Sequence, residues 1–131
     1  MKKDYKRVVL DYNFNKQLDI LEQIEEKEKC EILINAVCKP NCEQRKKHYH
    51  AISMSVLNKE APEIIVCNCM FNPFYEALKN KNSLTVDEIY NIYEPLGFEH
   101  FKIEGRTNFY QDVIEILVYY MVKPEFQMEI R

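Results

Sequence analysis

Glu31-Ile-Leu-Ile-Asn-Ala-Val-Cys-Lys-Pro-Asn-Cys-Glu-Gln-Arg-Lys-Lys-His48 runs from a strand through a loop into a helix, and that order decides the fold class. Ile32, Leu33 and Ile34 are consecutive rather than alternating with polar residues, which is the pattern of a strand buried on both faces. Such strands belong to parallel sheets covered by helices. The loop that follows is bent by Pro40 and carries two thiols, Cys38 and Cys42. Arg45 and His48 then stand one turn apart at the start of a helix predicted over residues 42–57, with Ile52, Val56 and Leu57 as its apolar side. A loop at the end of a buried strand is held rigidly yet open to solvent, which suits a metal or substrate site.

Upstream of this stretch, Arg7-Val-Val-Leu-Asp-Tyr12 is rich in β-branched and apolar residues and predicts a first strand. Asn13 and Asn15 are turn or N-cap residues for a helix whose Leu18, Leu21 and Ile24 recur at three-residue spacing. Downstream, Pro62 breaks the chain before Glu63-Ile-Ile-Val-Cys-Asn68, a short strand or extended segment. Asn72-Pro73, Asn80 and Asn82 mark an irregular passage with one helical turn near Phe74–Leu78.

Thr85 followed by Glu88 predicts a capping box. Ile89, Ile92, Tyr93 and Leu96 form a buried stripe behind it, and Gly97 is placed as the C-terminal cap. A strand over Phe98–Ile103 comes next, and Gly105 permits a sharp turn after it. A last helix capped by Asn108 follows, with Val113, Ile116, Leu117 and Tyr120 facing inward; Pro124 stops it and leaves a loosely held tail. Strands alternate with helices and no short hairpin signal occurs, so the chain predicts an α/β fold of about four parallel strands, each followed by a helix. Loops after the strand ends collect on one face in such folds. The cysteine loop and Glu104-Gly105-Arg106 therefore belong together.

A chain of 131 residues, 47% hydrophobic and 30% charged, is long enough for one domain with its own core. Its net charge of −3 excludes a global basic field for nucleic acid and leaves room only for a local patch. The longest apolar run, Ile116–Val122, is too short to span a bilayer, and no apolar segment follows the basic start as a signal peptide requires. Five cysteines without an export signal point to a reducing, cytoplasmic setting, where thiols bind metal or do redox work.

Cys38-x₃-Cys42 and Cys67-x-Cys69 bring four soft sulfur donors from two places in the chain. Thiolates select zinc or an iron–sulfur cluster, and spacing alone does not separate the two. The bland alternative for any one thiol is a small buried hydrophobe, the reading adopted for Cys30; of Cys67 and Cys69 only one need bind. Arg45 is a candidate to counter an anionic cluster or to bind a substrate anion, against plain surface charge. His48 is a candidate for substrate binding at the loop face, against a solvated residue on a basic helix start. Glu104 and Arg106 put an acid and a base on the same face and are the candidate catalytic pair.

Leu96-Gly97-Phe98 followed by Phe101-Lys-Ile-Glu-Gly-Arg106 resembles the Lys-Ile-Glu-Gly-Arg signature of the collagenase-like peptidase family. That family also contains bacterial tRNA-uridine hydroxylation proteins and oxygen-independent ubiquinone-hydroxylation proteins. The Asn35…Cys38…Cys42…Arg45…His48 pattern resembles its cysteine segment, where cysteines hold a four-iron four-sulfur (4Fe-4S) cluster. The resemblance covers roughly Arg7 to Pro124. It implies a partial TIM-barrel-like array, with residues 1–131 as a single domain similar to the C-terminal half of a (β/α)8 barrel. It also implies a cluster on Cys38, Cys42, Cys67 and Cys69 that supports a redox or hydroxylation step on RNA or a small aromatic substrate. The family label implies a peptidase, a hydrolase acting on peptides, as the second reading. No His-Glu-x-x-His helix or Cys–His–Asp arrangement supports it. The third reading is a non-catalytic, metal-stabilised scaffold or subunit. A half barrel exposes strand edges and an apolar face, which implies self-association or a partner that supplies the missing half.

Overall fold

The computed structural model describes residues 5–67, 69, 74–105 and 109–130. β2 (Cys30–Leu33) lies between β1 (Val8–Val9) and β3 (His100–Lys102) in a three-stranded parallel sheet. The fold is thus a mixed α/β arrangement around a small parallel sheet. Val8 pairs with Cys30, and Glu31 pairs with His100 on its other side. The central position explains the unbroken apolar run. Side chains alternate across a strand, and on one face Cys30, Ile32 and Ile34 join Leu21, Leu84, Ile89, Tyr93 and Phe98 in the main core. On the other face Leu33 packs with Tyr12 and Ala36. Glu31 is the exception, and it lies between Arg7 at 3.9 Å and Lys102 at 3.7 Å. Cys30 is fully buried in the main core, as a small hydrophobe would be.

The β1 ladder continues through the Leu10 N–H, which donates to the Glu31 carbonyl at 2.9 Å, but Tyr12–Phe14 is already a 3-10 turn. Asp11, rather than either asparagine, caps that turn by accepting from the Asn13 N–H at 2.9 Å. α1 (Leu18–Glu22) is short and buries Leu21. α2 (Arg45–Asn58) occupies the predicted place, but Ala51 is its buried residue. Ile52, Val56 and Leu57 are 52%, 73% and 75% exposed, contrary to the apolar side assigned to them. Ile52 and Val56 continue the helix face that carries Arg45 and Tyr49. That face meets Tyr12 at its first turn and then runs past the core.

Residues 61–67 have no strand assignment, so the described residues contain three strands rather than four. A short helix, α3 (Phe74–Ala77), takes the place of the predicted helical turn. The capping box is present: Thr85 Oγ1 accepts from the Glu88 N–H at 3.2 Å, and Glu88 Oε2 accepts from the Thr85 N–H at 2.8 Å. α4 (Val86–Glu88) passes directly into a π turn over Ile89–Tyr93, which buries Ile89 and Tyr93. Gly97 ends this segment at φ 102°, a left-handed conformation that favours glycine. Gly105 is different: a Cβ there would sit 3.8 Å from Ile116 and 3.9 Å from Val113, in ordinary contact.

α5 (Tyr110–Met121) buries Ile116 and Val118, while Leu117 turns outward. The expected cap, Asn108, lies outside the described residues. The tail is not loose. Pro124–Phe126 forms a 3-10 turn and α6 (Gln127–Ile130) follows. Gln127 Nε2 donates to the Val122 carbonyl at 3.1 Å and, at 3.4 Å, to the Val118 carbonyl, which it shares with the Val122 N–H at the end of α5. Among the described residues no helix is long and apolar enough to cross a membrane.

Candidate functional site

The loop after β2 is fixed almost entirely by side chains from other parts of the chain. A loop that leaves a sheet has backbone groups with no ladder partner, and each must be satisfied if it is buried. Asn35 extends the ladder with its own amide. Its Nδ2 donates to the Glu104 carbonyl at 2.8 Å, and its Oδ1 accepts from the Glu104 N–H at 2.8 Å. The Glu104 carboxylate then accepts from the Val37 N–H at 2.7 Å. Asn80 Nδ2 donates to the carbonyls of Ala36 and Val37, and Asn82 Nδ2 donates to that of Cys38 at 3.1 Å. Asn15 Nδ2 donates to the carbonyls of Leu33 and Asn82, both at 2.7 Å. Tyr12 Oη donates to the Lys39 carbonyl at 3.2 Å, and Asn13 Oδ1 accepts from the Asn41 N–H at 2.7 Å.

The loops after β1, β2 and β3 therefore meet at one end of the sheet, as the alternation of strands and helices predicts. Asn15 and Asn82 are themselves buried, so losing either would strand carbonyls away from water.

Within this frame the thiols converge. Cys42, Cys67 and Cys69 line an open cleft of about 380 Å³, together with Lys39, Pro40 and Val66. The Lys39 N–H donates to Cys69 Sγ at 3.4 Å, and the Cys42 and Cys69 thiols interact electrostatically. Cys38 lies within electrostatic reach of both. Burial pushes the Cys38 thiol above its ordinary value, and the hydrogen-bonded Arg45 guanidinium offsets part of the effect. Burial likewise raises Cys69, against the Lys39 N–H and in concert with Cys42.

Arg45 is held in place. Its guanidinium carbon is 4.1 Å from the Tyr12 ring centroid and 5.0 Å from that of Tyr49, and Nη2 donates to Tyr49 Oη at 3.2 Å. His48 Nε2 bonds the Ile65 carbonyl, tying α2 to the segment that carries Cys67. The sites assigned from sequence thus divide. Cys38, Cys42, Cys67, Cys69 and Arg45 come together, His48 braces a neighbouring segment, Glu104 clamps the cysteine loop, and Arg106 lies outside the described residues.

Four thiols match the donor preference of a soft metal. Among the described residues, however, no three His, Cys, Asp or Glu side chains stand in an arrangement that could hold a metal ion. The donor chemistry fits, and the cleft between the two cysteine-bearing segments remains open. Tyr12, Asn15, Asn80 and Asn82 were not recognised as site residues from sequence. Their partners lie far away in the chain, and asparagine also signals turns, so only the density of asparagines in a chain with two glycines hinted at another task.

No family model, curated protein or solved structure matches the chain.

Proposed function

We propose that Cys38, Cys42, Cys67 and Cys69 hold a soft metal centre, a 4Fe-4S cluster with zinc as the alternative, on a chain built like the C-terminal half of a collagenase-like peptidase barrel. The observation that carries this reading is the gathering of Cys42, Cys67 and Cys69 from two separate segments on one cleft, with Cys38 and its partner Arg45 within electrostatic reach. The Cys38–Cys42 arm is set in place by the asparagine clamps. The Cys67–Cys69 arm closes onto it when metal binds. Arg45 offsets the negative charge of the thiolates through its contact with Cys38, and Glu104 holds the loop entrance through Val37. A bound cluster would supply one-electron transfer, in a reducing cytoplasmic setting, for a redox or hydroxylation step on RNA or a small aromatic substrate.

The exposed Ile52, Val56 and Leu57, with Ile64 and Val66 beside the cleft, favour a chain that works against a second copy or a partner supplying the rest of the barrel. The test is anaerobic purification and reconstitution with iron, sulfide and zinc analysis and a visible spectrum. Iron and sulfide in equal amounts with a brown chromophore support the cluster; zinc alone supports a structural or hydrolytic site. Failure to take up either metal after anaerobic reconstitution would sink the reading.

A further inference from the structure

We infer that Cys42 and Cys69 form a disulfide in the metal-free chain, a redox-sensitive bond that closes the cleft and excludes metal. Cys69 is tied to the turn over residues 39–42. Its sulfur accepts from the Lys39 N–H at 3.4 Å, and it lines the same cleft as Cys42, with which its thiol interacts. The turn is itself closed, because the Cys42 N–H donates to the Lys39 carbonyl at 3.2 Å. Two cysteines gathered at one short turn and on one cleft need little backbone movement to reach bonding distance.

Cys42–Cys67 is the competing pairing on the same cleft, and the Lys39 N–H bond to Cys69 favours Cys69 over it; the remaining pairings are disfavoured. The Cys38 thiol interacts with the Arg45 guanidinium and is not among the residues that line the cleft with Cys42 and Cys69. Cys30 is sealed in the core, where its sulfur donates to the Glu26 carbonyl at 3.7 Å. Cys67 and Cys69 are separated by a single residue, a spacing that strains a disulfide.

The co-reactant is a low-molecular-weight disulfide such as oxidised glutathione. Its S–S bond breaks as the Cys42–Cys69 S–S bond forms, in two successive exchange steps through a mixed disulfide. The two protein thiols lose two electrons and two protons, and two small thiols are released. This inference shares the cleft with the metal reading but does not rest on it. The bond removes two of the four donors, so oxidised chain takes up no metal until it is reduced.

The test treats reduced, metal-free full-length chain with oxidised glutathione, alkylates it in denaturant and maps its peptides without reduction. Alkylatable thiols should fall from five to three, the five of the chain less the two joined, with a Cys42–Cys69 linked peptide and with Cys30, Cys38 and Cys67 alkylated. Cys42→Ser should leave a mixed glutathione adduct at Cys69 and no internal link. A dominant Cys42–Cys67, Cys38–Cys42 or Cys67–Cys69 link, or glutathione adducts alone in the unsubstituted chain, would overturn the inference. Metal uptake by the reduced chain is measured separately, so an intact metal site without the disulfide would refute this inference alone.

Discussion

The two thiol-bearing segments differ sharply in how they are held. Residues 34–42 hang from Tyr12, Asn80, Asn82 and Glu104, which reach the loop from parts of the chain on either side of it, while Asn35 bonds Glu104 from within the loop and Asn15 holds Leu33 just before it. Residues 61–67 run beside α2 with His48 on the Ile65 carbonyl, while Ile64 and Val66 are 79% and 80% exposed. One arm of the site is preorganised by buried hydrogen bonds, and the other rests on a few contacts. A site of this kind spends its ordering on one half and leaves the other free to adjust to what it binds.

The largest expected effect is on metal. Cys38→Ser and Cys42→Ser should each abolish uptake in anaerobic reconstitution, whereas Cys30→Ala, a change within the apolar core, should retain it. Equal metal content in the three variants would show that the preorganised arm is not the binding arm.

Next is the frame. Asn15→Ala strands the Leu33 and Asn82 carbonyls, so a loss of about 2–6 kcal/mol is expected at roughly 1–3 kcal/mol for each buried group left unpaired. Urea denaturation of the metal-free chain measures it. The same measurement on His48→Ala, which removes one bond to the Ile65 carbonyl, should give about 0.5–1.5 kcal/mol. Equal losses would erase the distinction between the two arms.

The smallest effect concerns the support of the Asn15 turn. Lys16, the next residue, is at positive φ, donates its N–H to Tyr93 Oη at 3.0 Å and pairs with Glu88. Burial alone would push Glu88 upward, but the Lys16 ammonium and the Thr85 N–H outweigh it and hold the carboxyl below its usual value. A carboxyl depressed in the fold contributes stability that is present above its unfolded value near 4.5 and is lost as pH falls through the folded value. The pair is partly exposed, so the contribution should stay below about 1 kcal/mol. Urea midpoints taken from pH 7 to pH 3 should fall less for Glu88→Gln than for the unsubstituted chain. Parallel curves would remove this support from the account.

Much of the frame was legible in the sequence. The run Ile32–Ile34 marked the central strand, Thr85 and Glu88 the capping box, and Gly97 the left-handed end of the segment. The gathering of the post-strand loops followed from the alternation of elements. Other features misled. Ile52 and Val56 have helical spacing, but spacing cannot say whether a core reaches that far along a helix. Glu63–Asn68 has strand composition, and its described part has no strand assignment. Pro124 did stop α5, yet Gln127 brings the tail back onto its last carbonyls.

The sequence by itself determined what depends on neighbours within a turn or two: the Thr85–Glu88 capping box, the left-handed Gly97, the buried strand and the supply of four soft donors. Only the tertiary structure decided which carbonyls Asn15, Asn80 and Asn82 satisfy, that Arg45 lies against Tyr12 beside Cys38, and that Cys69 meets the turn at Lys39. The physical reason is range. Capping and periodicity act within a few residues, while a buried amide can take any carbonyl that the packed chain places within reach.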